Sequence, residues 1–291
     1  MGKTYVLYNP LSNNKRGMEL AKTVKDIITD DEFEFLNILN IENLKSFINE
    51  TDENEKVIVA GGDGTLNYFL NCYDEFEKNV YFYPCGNGND FARDIGYLNK
   101  LILLNEHINK IPYCFINGEK RKYINGVGIG IDGYVCAKVN EKRFDKEDAS
   151  YIKVALKGIF SDYKRSNATV WVDDKKYKFN DVWFLCAMKG RYCGGGFMMT
   201  PKQDRMSDKG EISLLVVHNA PIPKILLAFL LVFKGKHTIL KKSVSILTGN
   251  SIKAEFDTPS YMQLDGESYT DISKLEIETD TKKKELIKEG V

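Results

Sequence analysis

Residues 57–67 read VIVAGGDGTLN. The apolar run 57–60 lacks the polar alternation of a half-exposed strand, so it predicts a strand buried on both faces. The residues from Asn67 to Cys72 predict a helix. Strand, glycine-rich turn and helix together aim free backbone amides and a positive helix end at one point, which is an anion site. Gly61, Gly62 and Gly64 carry no Cβ, so a phosphate can touch the backbone, and Thr65 offers a hydroxyl. Asp63 repels phosphate unless Mg²⁺ lies between them. The competing reading is a tight turn with Asp63 as a helix N-cap.

Working outward, strands and helices alternate through the first third of the chain. TYVLYN, EFEFLNIL, KVIVA and VYFYP read as strands, with helices at 17–29, 42–50 and 67–72 and another starting at NDFARDIG. This alternation predicts a mostly parallel, helix-covered sheet. Two further loops follow strands. NPLSNNKRG contains Asn9, Pro10, Ser12, Asn13, Lys15 and Arg16, a Pro-broken turn that presents donors and cations. PCGNGNDFAR contains Gly86, Asn87, Gly88, Asn89, Asp90 and Arg93. All three loops are expected at the carboxyl edge of the sheet, where open parallel sheets bind ligands.

The pattern then changes. CFINGEKRKYIN and TVWVDDKKYKF read as hairpins, and DVWFLCAM, EISLLVV, SVSIL, SIKAEF, YMQLD and KLEIE as short strands. Two helices, SYIKVALKGIF and PKILLAFLLVF, interrupt them. We therefore divide the chain into an α/β domain at 1–120 and an antiparallel β-sandwich at 121–277, with the tail 278–291 packing back on one of them. Hydrophobic residues make up 43% and charged residues 28%, the balance of a soluble globular protein, and the formal net charge of +0 provides no field for nucleic acid. Six cysteines without Cys-x-x-Cys spacing, and no secretory leader, lead to the expectation of reduced thiols in a cytoplasmic protein. The longest apolar stretch, 222–233, is far short of the roughly 20 residues that span a bilayer.

GGDGTLN, GNGNDFAR, YINGVGIGIDGYV, GRYCGGGF and QLDGE occur in this order, and between Val6 and Glu267 the chain resembles the diacylglycerol kinase catalytic family, which includes soluble bacterial lipid kinases. The glycine loop is shared with NAD kinases and, as a variant, with phosphofructokinases; the Asn-Asp-Phe-Ala-Arg and Asp-Gly-Glu segments are more specific. The resemblance implies an NAD kinase-like α/β domain, a β-sandwich, ATP between them, Mg²⁺, and transfer of the γ-phosphoryl group to a lipid hydroxyl. It places the nucleotide on Asn9, Ser12 and their neighbours and on Gly61 to Asn67. Mg²⁺ would be organised by Asp63, Asp90 and Asp132, and Arg93 would be a cationic partner. Glu267 matches the general base, with Asp265 behind it.

Four departures from the family pattern stand out: Asn13 and Asn87 replace a Gly and a Thr, Tyr68 replaces an acid, and Lys209-Gly210 falls where a bacterial subgroup has an Asp-Gly pair for a structural Mg²⁺. Asp208, one residue away, is the remaining candidate for that ion. A lipid acceptor implies peripheral membrane contact, for which the basic end of 221–237 (Lys234, Lys236, His237) is the expected surface. A homodimer is implied by resemblance alone. The alternatives are an NAD kinase-like enzyme and a non-catalytic nucleotide or lipid sensor.

Overall fold

The structure is a computed structural model and describes residues 2–28, 32–73, 76–98, 100–116, 118–144 and 151–279. Strands β1 (Lys3–Tyr8), β2 (Glu32–Asn37), β3 (Lys56–Gly61), β4 (Val80–Pro84) and β5 (Ile102–Leu103) form one sheet in the order β2-β1-β3-β4-β5. The first four are parallel, and β5 is antiparallel to β4. Side chains alternate across β3. Val57 and Val59 join Leu66, Phe69 and Phe82 on one face, while Ile58 and Ala60 join Val6, Ala21 and Val24 on the other. Both faces are covered, which is why the run carries no polar residue. Tyr8 pairs with Ala60 and Gly61 with Pro84, so the loops after β1, β3 and β4 leave the sheet side by side at its carboxyl edge.

The helix expected over 17–29 is shorter. An α-helical stretch, Gly17–Ala21, tightens into a 3₁₀ turn at Lys22–Asp26. The Thr23 hydroxyl donates to the Leu20 carbonyl, a local bond that competes with helix continuation.

The second sheet is antiparallel throughout. Its strands are β6 (Pro112–Ile116), β7 (Glu119–Lys122), β8 (Gly126–Gly130), β9 (Ser166–Val172), β10 (Lys175–Met188), β13 (Ile212–His218), β14 (Val244–Gly249), β15 (Ser251–Leu264) and β16 (Glu267–Thr279). The short β11 (Tyr192–Cys193) and β12 (Phe197–Met198) pair only with each other. Strands β10 and β15 are long and irregular, and each serves two layers. The first half of β10 pairs with β9 and its second half with β8 and β13; β15 likewise divides between β9 and β8. The register shifts lie at Phe179/Val182/Phe184 and Glu255/Ser260/Met262, the bulges by which one strand turns a corner between layers. The ring β8-β10-β9-β15 closes on itself around Val127, Val170, Leu185, Leu214, Ala254 and Met262. The other face of β10 and β13 (Trp183, Cys186, Leu215, Val217) is covered by helices Ile131–Phe144, Tyr151–Lys157 and Ile222–Val232.

The domain boundary lies earlier than 120. Strands β6 and β7 belong to the second sheet, with β6 paired to β16, so the chain crosses over by Pro112. Thr279 closes β16 by donating its hydroxyl to the Gly210 carbonyl; the tail from 280 lies outside the described residues. All six cysteines are free thiols. No helix among the described residues is long and apolar enough to cross a membrane.

Phe82 of β4 is fully buried and meets Phe91 edge-on at 6.1 Å between ring centroids, pinning the helix Asp90–Ile95 to the sheet. Phe82→Ala should cost about 3–5 kcal/mol in urea unfolding. A loss well under 1 kcal/mol would show that this contact does not hold the helix.

Candidate active site

The loops after β3 and β4 touch backbone to backbone. A Cβ on Gly86 would lie 2.3 Å from the Gly62 Cα, and the Cys85 amide donates to the Gly61 carbonyl at 2.9 Å. Gly64, at the start of the helix Asp63–Cys72, faces open space. The first-turn amides of that helix have no intrahelical acceptor. Thr65 does not line this surface: it is 3% exposed and packs behind Gly61, where a Cβ would meet it at 2.5 Å. Asn89 holds a left-handed φ of 51°, and its side chain turns back to accept from the Gly86 amide and donate to the Gly86 carbonyl. It shapes the loop and leaves the next helix uncapped.

Asp63 supplies the missing cap from the other loop. Its Oδ2 accepts from the Asp90 amide and its Oδ1 from the Phe91 amide, both at 2.9 Å, while the Asn125 side chain donates to Oδ1 at 3.0 Å. The competing N-cap reading is met in altered form: the carboxylate caps not a helix of its own turn but the helix Asp90–Ile95, across a loop junction. Three of its roughly four acceptor positions are filled.

Asn67 is also reassigned. Its amide donates to the Lys122 carbonyl and to Asp265 Oδ2 at 2.8 Å, so it binds the second domain and does not face a nucleotide. The two contacts are reciprocal: Asn67 of the glycine-loop helix holds Asp265 of the late turn, and Asn125 of the second domain holds Asp63 of the glycine loop. Asn125 continues into a buried chain that the sequence did not reveal. Its Oδ1 accepts from Arg205 at 2.9 Å; Arg205 Nε donates to Asp94 Oδ2 at 2.5 Å; Arg191 Nε donates to Asp94 Oδ1 at 2.7 Å. Gly190 must be glycine here, because a Cβ would lie 2.1 Å from Arg205 Nη2. The available signal was Asp90 and Asp94 at i,i+4 on one face of a short helix, both buried.

Asp265 cannot serve as a reserve base. Its two oxygens accept from Ile124 N, Asn125 N, Gly126 N and Asn67 Nδ2 at 2.6–3.0 Å, filling its acceptor capacity. Burial pushes its carboxyl up to about 6, against the pull of the three backbone amides. Asp132 also supports the turn. Its Oδ2 accepts from Gln263 at 2.9 Å, and Gln263 Oε1 accepts the Gly266 amide at 3.1 Å, so Asp132 helps fix the Asp265-Gly266-Glu267 turn. Burial raises the Asp132 carboxyl as well. Glu267 is exposed and accepts only the Tyr269 hydroxyl among the described contacts, at 3.0 Å.

Asp90 and Arg93 face each other unsatisfied. Asp90 Oδ2 accepts from the Gly195 amide at 2.7 Å, but its Oδ1 is buried without a partner. Arg93 Nε is likewise buried and unpartnered, 3.9 Å from that oxygen. Orphaned buried groups of this kind call for an explanation by a ligand, ion or water. With the last acceptor position of Asp63 alongside, the pair fits a hydrated cation and a phosphate. No group of three or more Asp, Glu, His or Cys among the described residues is arranged to hold a metal unaided, so Asp63, Asp90 and Asp132 do not form a ready-made cage. The structural-ion expectation at Asp208 is not met. That side chain is exposed, and the Lys110 ammonium donates to its carbonyl. In the first loop, Asn9 Oδ1 accepts from Leu11 N at 2.9 Å and Ser12 Oγ donates to Asn9 O at 2.8 Å, so both build the turn. Asn13 and Lys15 adopt left-handed φ values of 48° and 68°; Pro10 is half-buried, and Lys15 and Asn87 are exposed. Arg16 is paired with Glu19.

Two families describe this arrangement. The "Diacylglycerol kinase catalytic domain" matches residues 3–112, and the "YegS C-terminal NAD kinase beta sandwich-like domain" matches residues 125–278, more than half of the chain. The chain belongs to the diacylglycerol kinase catalytic family of lipid kinases. Within it, similarity extends to YtlR of Bacillus subtilis, whose name assigns it provisionally to the lipid kinases (23% identity over 82% of this chain and 84% of that one). The diacylglycerol kinase of Mycobacterium tuberculosis is 23% identical over 88% of this chain and 85% of its own. A crystal structure of a Bacillus anthracis diacylglycerol kinase shares the fold, with a TM-score of 0.63, 21% identity and coverage of 95% and 93% of the two chains.

Burial, reinforced by the Asp63 carboxylate, pushes the Asp90 carboxyl up to about 6. The folded chain therefore keeps this proton up to about pH 6, whereas the unfolded chain releases it near 4. Stability should fall as pH rises through this window and level off above it, because the folded state binds the extra proton. Asp90→Asn should remove part of the slope, the rest belonging to Asp265 and Asp132, and raise stability at pH 7 by about 1–3 kcal/mol. Urea titrations from pH 4 to 8 measure both; an unaltered slope would clear Asp90 as its source.

Proposed function

We propose that this family member is an ATP-dependent lipid kinase that phosphorylates a lipid hydroxyl of the diacylglycerol class. The observation that carries the reading is the domain junction. The open glycine position at Gly64 and the turn bearing Glu267 are joined through the Asn67–Asp265 contact. In this reading a phosphate loop from one domain and an exposed carboxylate from the other serve one reaction.

ATP with Mg²⁺, when bound, supplies the phosphoryl group and neutralises its charge. The chain's own contribution is positioning. Gly64 admits a phosphate to the backbone, beside the Gly62–Gly86 contact that holds the loops together and with Lys15 at the neighbouring loop; Asp90 Oδ1 and the free acceptor of Asp63 suit a hydrated cation. Arg93 offers Nε to an anionic oxygen. Glu267 accepts the proton of the acceptor hydroxyl, held at the turn by Asp132, Gln263 and Asp265 and steadied by Tyr269.

Labelled ATP with a total lipid extract, and in a parallel reaction with NAD, tests this reading. A labelled lipid is the expected product. Labelled NADP would favour the nucleotide acceptor, and no labelled product would favour a sensor. Glu267→Gln should lower kcat about 10²- to 10⁴-fold with nucleotide affinity nearly unchanged; wild-type kcat would remove Glu267 from the chemistry.

Peripheral membrane contact is supported by the helix Ile222–Val232 and its exit. Leu227, Leu230 and Phe233 recur along one side and are 45%, 69% and 45% exposed, followed by exposed Lys234 and Lys236. His237 is not part of this surface: it is 2% exposed, bonded to the Met199 carbonyl, and burial holds it below the usual histidine range. Replacing Lys234 and Lys236 with Gln should weaken sedimentation with anionic vesicles and lipid phosphorylation together, each charge contributing about 1 kcal/mol. Unchanged sedimentation would take this helix off the membrane.

A further inference from the structure

Beside Arg205, at the domain junction, lies a cavity of about 10 Å³. Ile108, Ile111 and Ile124 line it together with His107, Asn109 and Tyr123, the hydroxyl of Tyr123 being also buried without a partner, and Lys189 and Arg205 bring charge to it. Lys189 is 4% exposed, and its Nζ is fully buried with no hydrogen-bond partner. An ammonium in this position has lost its water and gained nothing in return, a penalty that folded proteins normally relieve with a counter-charge.

The surroundings make that deficit worse. Arg205 and Lys110 both act on Lys189 repulsively, and only Asp204 acts in its favour. Arg205 has its own carboxylate in Asp94, but Asp94 is shared with Arg191, so this trio retains a formal charge of +1. Burial, aided by the Arg205 charge, pushes Lys189 down to about 8, so it still carries its proton at neutral pH. The cavity volume matches one water-sized species. A water would satisfy a donor but leave the charge unmatched.

We infer that this cavity is a binding site for one small inorganic monovalent anion of chloride size, held by the Lys189 ammonium against the excess positive charge around Arg205. The anion completes the electrostatics of the domain junction. Lys189 N donates to the Asn125 carbonyl at 2.9 Å, and Asn125 is the residue that grips Asp63. Occupancy therefore stabilises the arrangement on which the glycine loops depend, through residues other than those that line them.

The test uses the full chain. Crystals grown in sodium bromide should show one anomalous peak in contact with Lys189 Nζ. In solution, replacing sodium gluconate with sodium chloride at equal ionic strength should raise Tm by roughly 3 °C at concentrations well above Kd, saturably. Lys189→Met should abolish that rise and, in gluconate, melt at or above the wild type, because it removes the unmatched charge. A crystal without bromide at Lys189, or the same chloride response in wild type and variant, would overturn the site. A bromide peak without a chloride-dependent rise would mark an adventitious ion only and overturn it equally. The diffraction readout is made on the unaltered chain, so it stands even if the variant does not fold.

Discussion

The Asp63 carboxylate is the point on which the molecule turns. A side chain in a glycine loop closes the start of a helix from a different loop and receives an amide from a different domain. The three donors lie 27, 28 and 62 residues away in sequence. Few side chains could satisfy all of them: the acceptor must offer two oxygens and be short, so that Gly62 and Gly86 can remain in contact beside it. The glycines and the aspartate are therefore one device. Without side chains the loops approach, and the approach brings the carboxylate within reach of the amides.

The same logic explains the charged chain that follows. Asp94 is 2% exposed at its side chain, with one guanidinium on each oxygen. Buried ion pairs of this kind often add little net stability relative to an apolar core, but breaking one leaves an unmatched charge at a cost of about 3–5 kcal/mol. Arg205 also lies over the Phe91 ring at 4.7 Å and reaches Asn125. It thus fixes the second domain against the helix that Asp63 caps, and so sets the orientation of one domain on the other.

The α/β sheet was legible because burial on both faces leaves a local mark, an apolar run in place of an alternating one. The loops at the carboxyl edge were legible because glycine clusters and strand ends are adjacent in sequence. What remained hidden were contacts between distant polar residues. Chemical type groups Asp63, Asp90 and Asp132 together, but the fold separates their roles: a cap, a buried acceptor and a support for a turn. Asp265 and Glu267 show the same limit two residues apart. The positive φ of 44° at Asp265 turns its side chain into the amides of 124–126, and Glu267 begins the next strand exposed. Periodicity identifies a turn, but not which of its acids the rest of the chain will occupy.

The route of the chain between the two sheets has a consequence for dissection. Strands β6 and β7 complete the edge of the second sheet, and β6 lies against the last residues of β16. A fragment cut after residue 120 would strip β6 from that edge and expose the backbone of Ile277 to Thr279 as an unpaired strand, the kind of surface through which polypeptides aggregate. The complementary fragment would carry a homeless hairpin at its end. The connection works as a clasp, and the protein is best separated, if at all, before Pro112.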